Sequence, residues 1–145
     1  METILVVDDE SEVREFARDI LVAGGYEVLE ARDGEDALQV AEAHTAPIHL
    51  LLTDVVMPRL NGVELAGQLT RRRPDTKVLY MSGFAVLGAQ LEQLSGPTLE
   101  PGDLILPKPF TAEALTMRVH DVLARPTPSR SPFSRARPRP DQWMP

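Results

Sequence analysis

Five short apolar runs, each separated from the next by a stretch of helical periodicity, constrain this chain more than any other feature. Residues 4–7 are uninterrupted Ile, Leu and Val, the pattern of a strand buried on both faces. Val13, Phe16, Ala17, Ile20 and Leu21 then recur at helical spacing, and Gly24-Gly25 stops that helix. Residues 28–31 form a second strand, an edge strand because Glu27 and Glu30 interrupt it. Asp33 caps a helix with Ala37, Leu38 and Ala41 on its inner face. Pro47 closes the connection to a third strand over 48–53, and Met57-Pro58 breaks the chain after it. Asn61, with Glu64 three residues later, starts a helix whose inner face holds Leu65 and Leu69. Residues 78–81 and 104–106 are the fourth and fifth strands. Between them 86–94 carries a weaker helical pattern, with Gly88 inside it and Ser95-Gly96-Pro97 at its end. Thr111 caps a last helix with Leu115, Val119, Val122 and Leu123 on one side. This alternation predicts an α/β fold: a doubly wound (βα)5 unit with a five-stranded parallel sheet and helices on both faces.

Open sheets of this kind take ligands outside the carboxyl ends of their strands. There the sequence places Asp8-Asp9 after the first run, Asp54 after the third, Ser82 after the fourth and Lys108 after the fifth. Lysine is scarce, two against thirteen arginines, yet one of the two stands in Pro107-Lys108-Pro109-Phe110. Two carboxylates about 4.5 Å apart repel by roughly 3–4 kcal/mol at an effective dielectric near 20. Three in one pocket raise each other's pKa unless a positive group joins them. Hard oxygen ligands of this type suit Mg²⁺, which favours one or two carboxylates plus a phosphate oxygen. A carboxylate can itself become an aspartyl phosphate, and phosphoryl transfer requires mainly positioning and charge neutralisation. Each residue also has an ordinary reading on its own. Asp8-Asp9 can cap a helix, Asp54 can be a loop acid, Ser82-Gly83 a turn and Lys108 a solvated loop lysine. Their joint placement is what argues for chemistry.

Four segments carry a more specific signal. Val6-Val7-Asp8-Asp9-Glu10, Leu52-Thr53-Asp54-Val55-Val56-Met57-Pro58, Met81-Ser82-Gly83 and Pro107-Lys108-Pro109-Phe110 resemble the signatures of receiver domains of two-component response regulators, and Asn61-Gly62 fits as well. The resemblance runs from about residue 3 to 123. It implies a flavodoxin-like, CheY-like fold with strand order 2-1-3-4-5. It implies Asp54 as phosphoacceptor, Asp9 as a direct Mg²⁺ ligand, Asp8 as a ligand mainly through water, and Asp54 with the backbone carbonyl of Val56 completing the protein's share of the metal site. Mn²⁺ is the alternative ion. Ser82 becomes the switch hydroxyl, Lys108 the partner of Asp54 or its phosphoryl group, and the Lys108–Pro109 bond is expected to be cis. The implied donor is a histidine kinase or a histidine phosphotransfer protein in a phosphorelay. The only reactions the resemblance implies are the domain's own phosphorylation and dephosphorylation, with a downstream protein partner and a weak homodimer compatible with it.

Composition narrows the class. There is no cysteine, so disulfides and thiolate metal sites are excluded. No apolar run approaches a membrane span and no leader pattern opens the chain, so a cytoplasmic location is expected. Residues 125–145 hold five arginines and one aspartate, leaving 1–124 with ten basic and twenty-one acidic residues, a net −11. Such a body is a poor nucleic-acid binder and suits a cation or a basic partner. The expected organisation is a receiver over 1–124 and a disordered Pro/Arg/Ser-rich tail over 125–145. No output domain is expected after it. The chain reads as a stand-alone receiver or as the C-terminal receiver of a hybrid histidine kinase, which Leu99-Glu100-Pro101-Gly102 resembles in style.

Two other functions stay open. A Mg²⁺-dependent aspartate-nucleophile phosphatase needs a second acid two residues beyond a nucleophile on the first strand, whereas the acids here are adjacent and the nucleophile candidate is on the third. A phosphorylation-independent interaction module usually lacks an acid or the lysine, and all five groups are present. His44, His49 and His120 lack metal-ligand spacing and read as structural or surface residues, Lys77 as solvated, and the Arg71-Arg72-Arg73 run as complementing the end of its own helix. Three departures from the family stand out. Ile105 occupies a position usually held by Tyr or Phe. Val56 and Phe84 are apolar where relatives often carry polar side chains, which favours a long-lived phosphoryl group. The segment 85–102 has glycine breaks that favour a short fourth helix.

Overall fold

In a computed structural model, which describes residues 1–83 and 105–125, strands and helices alternate as expected. They are β1 (Thr3–Val7), α1 (Ser11–Ala23), β2 (Glu27–Ala31), α2 (Gly34–Ala43), β3 (Leu50–Asp54), α3 (Gly62–Arg72), β4 (Lys77–Gly83), β5 (Ile105–Lys108) and the C-terminal helix α4 (Ala112–Ala124). The helix expected over 86–94, Phe84 and the tail beyond residue 125 lie outside the described residues. All strand pairs are parallel, in the order β2-β1-β3-β4-β5. β2 is an edge strand, as its glutamates indicated.

The apolar runs lie in the middle of the sheet because both of its faces are covered. Every residue of β1 and β3 is buried. Alternate side chains leave opposite faces, so the sheet divides the core in two. Leu5, Val7 and Leu51 pack with Ala37, Ala41, Leu65 and Leu69 of α2 and α3. Ile4, Val6, Leu50, Leu52, Leu79 and Met81 pack with Ala17, Leu21, Leu115 and Val119 of α1 and α4.

The helix starts follow their cap residues. Asp33 Oδ1 accepts from Asp36 N at 2.8 Å, and Thr111 Oγ1 from Ala114 N at 3.0 Å. Asn61 and Glu64 form a full capping box, at 2.8 and 3.1 Å. Gly25, at φ +95°, turns the chain out of α1.

Some expectations need correction. β3 begins at Leu50 rather than at residue 48, while β4 and β5 run on to Gly83 and Lys108. Ser82 and Lys108 are therefore ladder residues rather than loop residues, which fixes their backbones. Phe16 is not a core residue: it is 47% exposed and leans on Phe110, with ring centroids 5.8 Å apart. Lys77 is half-buried, and its Nζ donates to the carbonyl of Leu123 near the end of α4 at 3.3 Å. Arg73 ends α3 as expected, its backbone N–H donating to Leu69 O at 2.8 Å, but its side chain serves the neighbouring helix. Its guanidinium donates to the carbonyls of Ala41 (2.9 Å), Ala46 (3.0 Å) and His44, closing the C-terminal end of α2.

That difference is measurable. Arg73→Ala leaves three carbonyls to water and is expected to lower the unfolding free energy by about 1.5–3 kcal/mol, the range for hydrogen bonds to a charged group. Arg72→Ala, on an exposed neighbour, is expected to stay within about 0.5 kcal/mol. Urea unfolding of both variants checks the contrast, and equal effects would return Arg73 to the role of a surface charge.

Candidate functional site

The strand register sets the site. Val7 pairs with Thr53, Asp54 with Met81, Ser82 with Pro107 and Gly83 with Lys108. The next residue after β1 is Asp8, so Asp8, Asp54, Ser82 and Lys108 stand at one edge of four adjacent strands. Asp8 is fully buried, Ser82 is 1% exposed and Asp54 8% exposed, while Asp9 faces solvent. Asp8, Asp9 and Asp54 each offer a carboxylate oxygen, and these oxygens lie within 4.8 Å of one another. Lys108 Nζ donates to Asp8 Oδ2 at 2.8 Å and to Asp54 Oδ2 at 3.2 Å, with Glu10 Oε1 at 3.8 Å.

The local backbone is held from several sides. Asp8 Oδ1 accepts from Glu10 N at 2.9 Å, and Asp54 Oδ1 accepts more weakly from Val56 N at 3.4 Å. Val55 N donates to Met81 O at 3.0 Å and Gly62 N to Val55 O at 2.8 Å. A Cβ on Gly62 would lie 2.1 Å from the Asp54 carbonyl oxygen, so the start of α3 can approach this backbone only as glycine. The loop then turns at Arg59, at φ +68°, whose Nη2 pairs with Asp33 Oδ2 at 2.8 Å. The Lys108–Pro109 peptide bond is cis.

Two supports escaped the sequence reading. Arg14 Nη1 donates to the Asp8 carbonyl at 2.8 Å while its Nε contacts Glu30 at 3.3 Å. Arg59 ties the loop after β3 to the cap of α2. The charged residues were visible in the sequence. Their pairings are set by how α1 lies over β2 and by a backbone turn that no motif marks.

The electrostatics follow from burial. Asp54 is pushed up to about 6, chiefly by desolvation and further by Asp8, with Lys108 and the Val56 N–H opposing. Burial also raises Asp8, against its bond to Lys108. Burial pulls Lys108 down, but hydrogen bonds and charge from Asp8 and Asp54 outweigh it and hold the ammonium above its ordinary value. Three converging carboxylates thus face one ammonium. The oxygen donors and the excess negative charge fit a hard divalent cation.

The sequence model described as "Response regulator receiver domain" matches residues 4–120. The chain belongs to this family. It is 40% identical over 134 residues to response regulator MprA of Mycobacterium sp. (strain KMS), covering 92% of this chain and 55% of that protein. The chain thus spans about half the length of the first curated relatives it matches. Among solved structures, the receiver domain from hybrid histidine kinase CckA is 36% identical with a TM-score of 0.67, covering 83% of this chain and 98% of that one. Response regulator TrrA from Thermotoga maritima, solved in complex with Mg(2+)-BeF, is 30% identical with a TM-score of 0.67, covering 84% and 99%. These agree with the doubly wound fold, and no helix among the described residues is long and apolar enough to cross a membrane.

The raised Asp54 has a consequence for the stability of this receiver domain. A carboxyl with a folded-state pKa of about 6 and an ordinary value of 3.8 holds its proton more tightly when folded. Its contribution therefore favours folding at low pH and is lost as pH rises from about 4 through 6. The shift is worth at most ~3 kcal/mol, and screening at the solvent-facing lip reduces it to about 1–2 kcal/mol. Without divalent metal, Asp54→Asn is expected to be more stable than wild type by that amount at pH 8 and equal to it at pH 4. Urea titrations at both pH values measure this; a less stable variant at pH 8 would contradict the assignment of strain to the ionised carboxylate.

Proposed function

We propose that this receiver domain accepts a phosphoryl group on Asp54 from a phosphohistidine of a histidine kinase or histidine phosphotransfer protein, in a Mg²⁺-dependent step. The observation that carries this reading is the single ammonium of Lys108 bridging Asp8 and Asp54 while Asp9 completes a three-carboxylate cluster. Asp54 carboxylate oxygen attacks phosphorus, forming a P–O bond as the P–N bond breaks, and the electron pair leaves with the imidazole nitrogen. Asp8, Asp9, Asp54 and the backbone carbonyl of Val56 would hold the ion. Bound there, Mg²⁺ (or Mn²⁺) neutralises charge on the phosphoryl oxygens.

The chain's own groups do the rest. Lys108 releases its bond to Asp54 Oδ2 and pairs with a phosphoryl oxygen, keeping Asp8 as its second anchor. Ser82, held on β4 beside the β5 ladder, donates its hydroxyl to another. The Val56 N–H steadies the carboxylate oxygen it already contacts. The new group adds a charge of about −1.5 to −2, which can shift the domain only through these contacts.

Incubation with Mg²⁺ and a small phosphodonor such as acetyl phosphate is expected to add one phosphoryl group, read by intact mass. Asp54→Ala is expected to add none, and addition of Mg²⁺ chelator to wild type is expected to stop the reaction. Retention of the modification in Asp54→Ala would remove the assignment of Asp54.

The lifetime of the acyl phosphate should reflect Val56. This residue is 40% exposed two positions beyond Asp54 and has no polar group to orient an attacking water. One added hydrogen bond to that water is worth about 0.5–1.5 kcal/mol, so Val56→Asn is expected to hydrolyse about 2- to 10-fold faster. Phosphate release from purified phosphoprotein checks this, and an unchanged rate would separate lifetime from this position.

A further inference from the structure

The loop from β3 to α3 carries the Val56 carbonyl, and part of what holds that loop lies in another helix. One side is fixed by β4 and by the start of α3: Val55 N donates to Met81 O at 3.0 Å and Gly62 N to Val55 O at 2.8 Å. Between these points the loop runs over the start of α2. A Cβ on Gly34 would lie 2.8 Å from Cβ and Cδ2 of Leu60, so Leu60 rests directly on the first residue of that helix. Beside it, Arg59 Nη2 donates to Asp33 Oδ2 at 2.8 Å, and Arg59 Nε stands 3.5 Å from Glu35 Oε1. The other oxygen of Asp33, Oδ1, caps α2 by accepting from Asp36 N. That N–H bond, with the Arg59 guanidinium adding to it, holds the Asp33 carboxyl below its ordinary value, so the pair is charged at neutral pH.

We propose that Arg59 is a positioning residue for the cation site: its ion pair with Asp33 clamps the β3–α3 loop onto the start of α2 and thereby holds the Val56 carbonyl in place. This role rests on the acidic cluster and the Val56 carbonyl holding a cation, as the proposed function has it. It adds a side chain that touches neither the ion nor the phosphoryl group.

The backbone makes arginine an unexpected residue here. Arg59 adopts φ +68°, a left-handed conformation that side chains other than glycine's rarely take. Glycine would meet that requirement without strain. What arginine adds is a guanidinium, and it reaches a carboxylate whose side chain is 14% exposed and already fixed by its cap bond. Surface ion pairs ordinarily contribute little to folding, and Arg59, with 60% of its side chain exposed, is expected to follow that rule. A backbone oxygen that serves as a metal ligand is more demanding. Outer groups fix the orientation of such ligands, and small displacements weaken the ion. Asp54 and Asp8 stand at strand ends, whereas Val56 lies two residues out on the loop, 40% exposed. Its carbonyl is therefore the ligand that depends most on what the loop is tied to.

The test reads Mn²⁺ affinity of the full chain from the electron paramagnetic resonance signal of the free ion, with urea unfolding of the metal-free protein alongside. Loss of binding in Asp9→Asn marks the acidic cluster as the site titrated. Arg59→Gly is expected to weaken the affinity about 3- to 10-fold, less than the roughly 10- to 100-fold typical of a group bonded directly to a ligand. Its urea midpoint is expected to stay close to that of wild type, because glycine suits the positive φ. Removing a positive charge near an acidic site would by itself tighten cation binding, so the expected sign is opposite to the electrostatic one. Asp33→Asn leaves the loop sequence intact and keeps the cap, since asparagine caps as well as aspartate, and is expected to show a similar loss. The double variant is expected to fall within about twofold of either single one, because both break the same contact. Arg59→Lys, which keeps a cation, is expected to stay within about twofold of wild type. Asp9-dependent binding that Arg59→Gly leaves unchanged or tightens overturns the positioning role alone. So do losses that add in the double variant, or a loss that Arg59→Lys does not restore. Wild type that binds no Mn²⁺ overturns it together with the cation site.

Discussion

Lys108 Nζ reaches Asp8 at 2.8 Å and Asp54 at 3.2 Å, and the rest of the acidic edge is organised around that bridge. One ammonium among three carboxylates leaves the cluster short of positive charge, and burial makes the shortage costly. The carboxylate least able to bear it is Asp54, which burial and Asp8 together push up to about 6. A site of this kind is stabilised by whatever brings positive charge to it. The same imbalance that strains the metal-free protein is what a divalent cation would relieve in the proposed reaction.

The bridge works only because its partners cannot retreat. Asp54 and Lys108 are the last residues of β3 and β5, and Asp8 follows β1 directly. Their backbones are fixed by the ladders and by contacts on either side. Gly62 brings α3 against the Asp54 carbonyl, and Arg14 grips the Asp8 carbonyl from α1. Removing the side-chain bonds would leave the charges in place, still facing one another. The sheet, rather than the loops, supplies the rigidity that a charge-based site requires.

Much of this was legible in the sequence. Unbroken apolar runs identify strands covered on both faces, and Asp33, Asn61 and Thr111 mark helix starts because each cap satisfies a donor that the helix leaves open. The acids and the lysine at the run ends follow from the same reading. What escaped it depends on contacts between elements distant in sequence. Arg73 ends its own helix as the sequence indicated, but its side chain closes another, because the α3 C-terminus lies beside that of α2. Phe16 has core spacing but stands at the seam, since α1 meets α4 along only part of its apolar face. Lys77 looked solvated and reaches α4 through a fold-dependent approach.

Ile105 lies on the strand that joins the acidic edge to α4. It stands where an aromatic ring was expected from the family, and its side chain is partly buried against the α2/α3 side of the core. Its carbonyl accepts from Arg118 Nη1 of α4 at 3.0 Å. β5 therefore reaches the acidic edge through Lys108 and α4 through the Ile105 carbonyl. In the proposed reaction Lys108 exchanges Asp54 for a phosphoryl oxygen, and the strand carrying it is the one to which α4 is bonded. A ring that swings inward is one way to carry such a change outward, and it needs room at the strand. A backbone-to-guanidinium bond needs none, because a shift of the carbonyl alters the bond directly. In this chain the backbone of β5, rather than a side chain on it, is the part common to the acidic site and the helix surface.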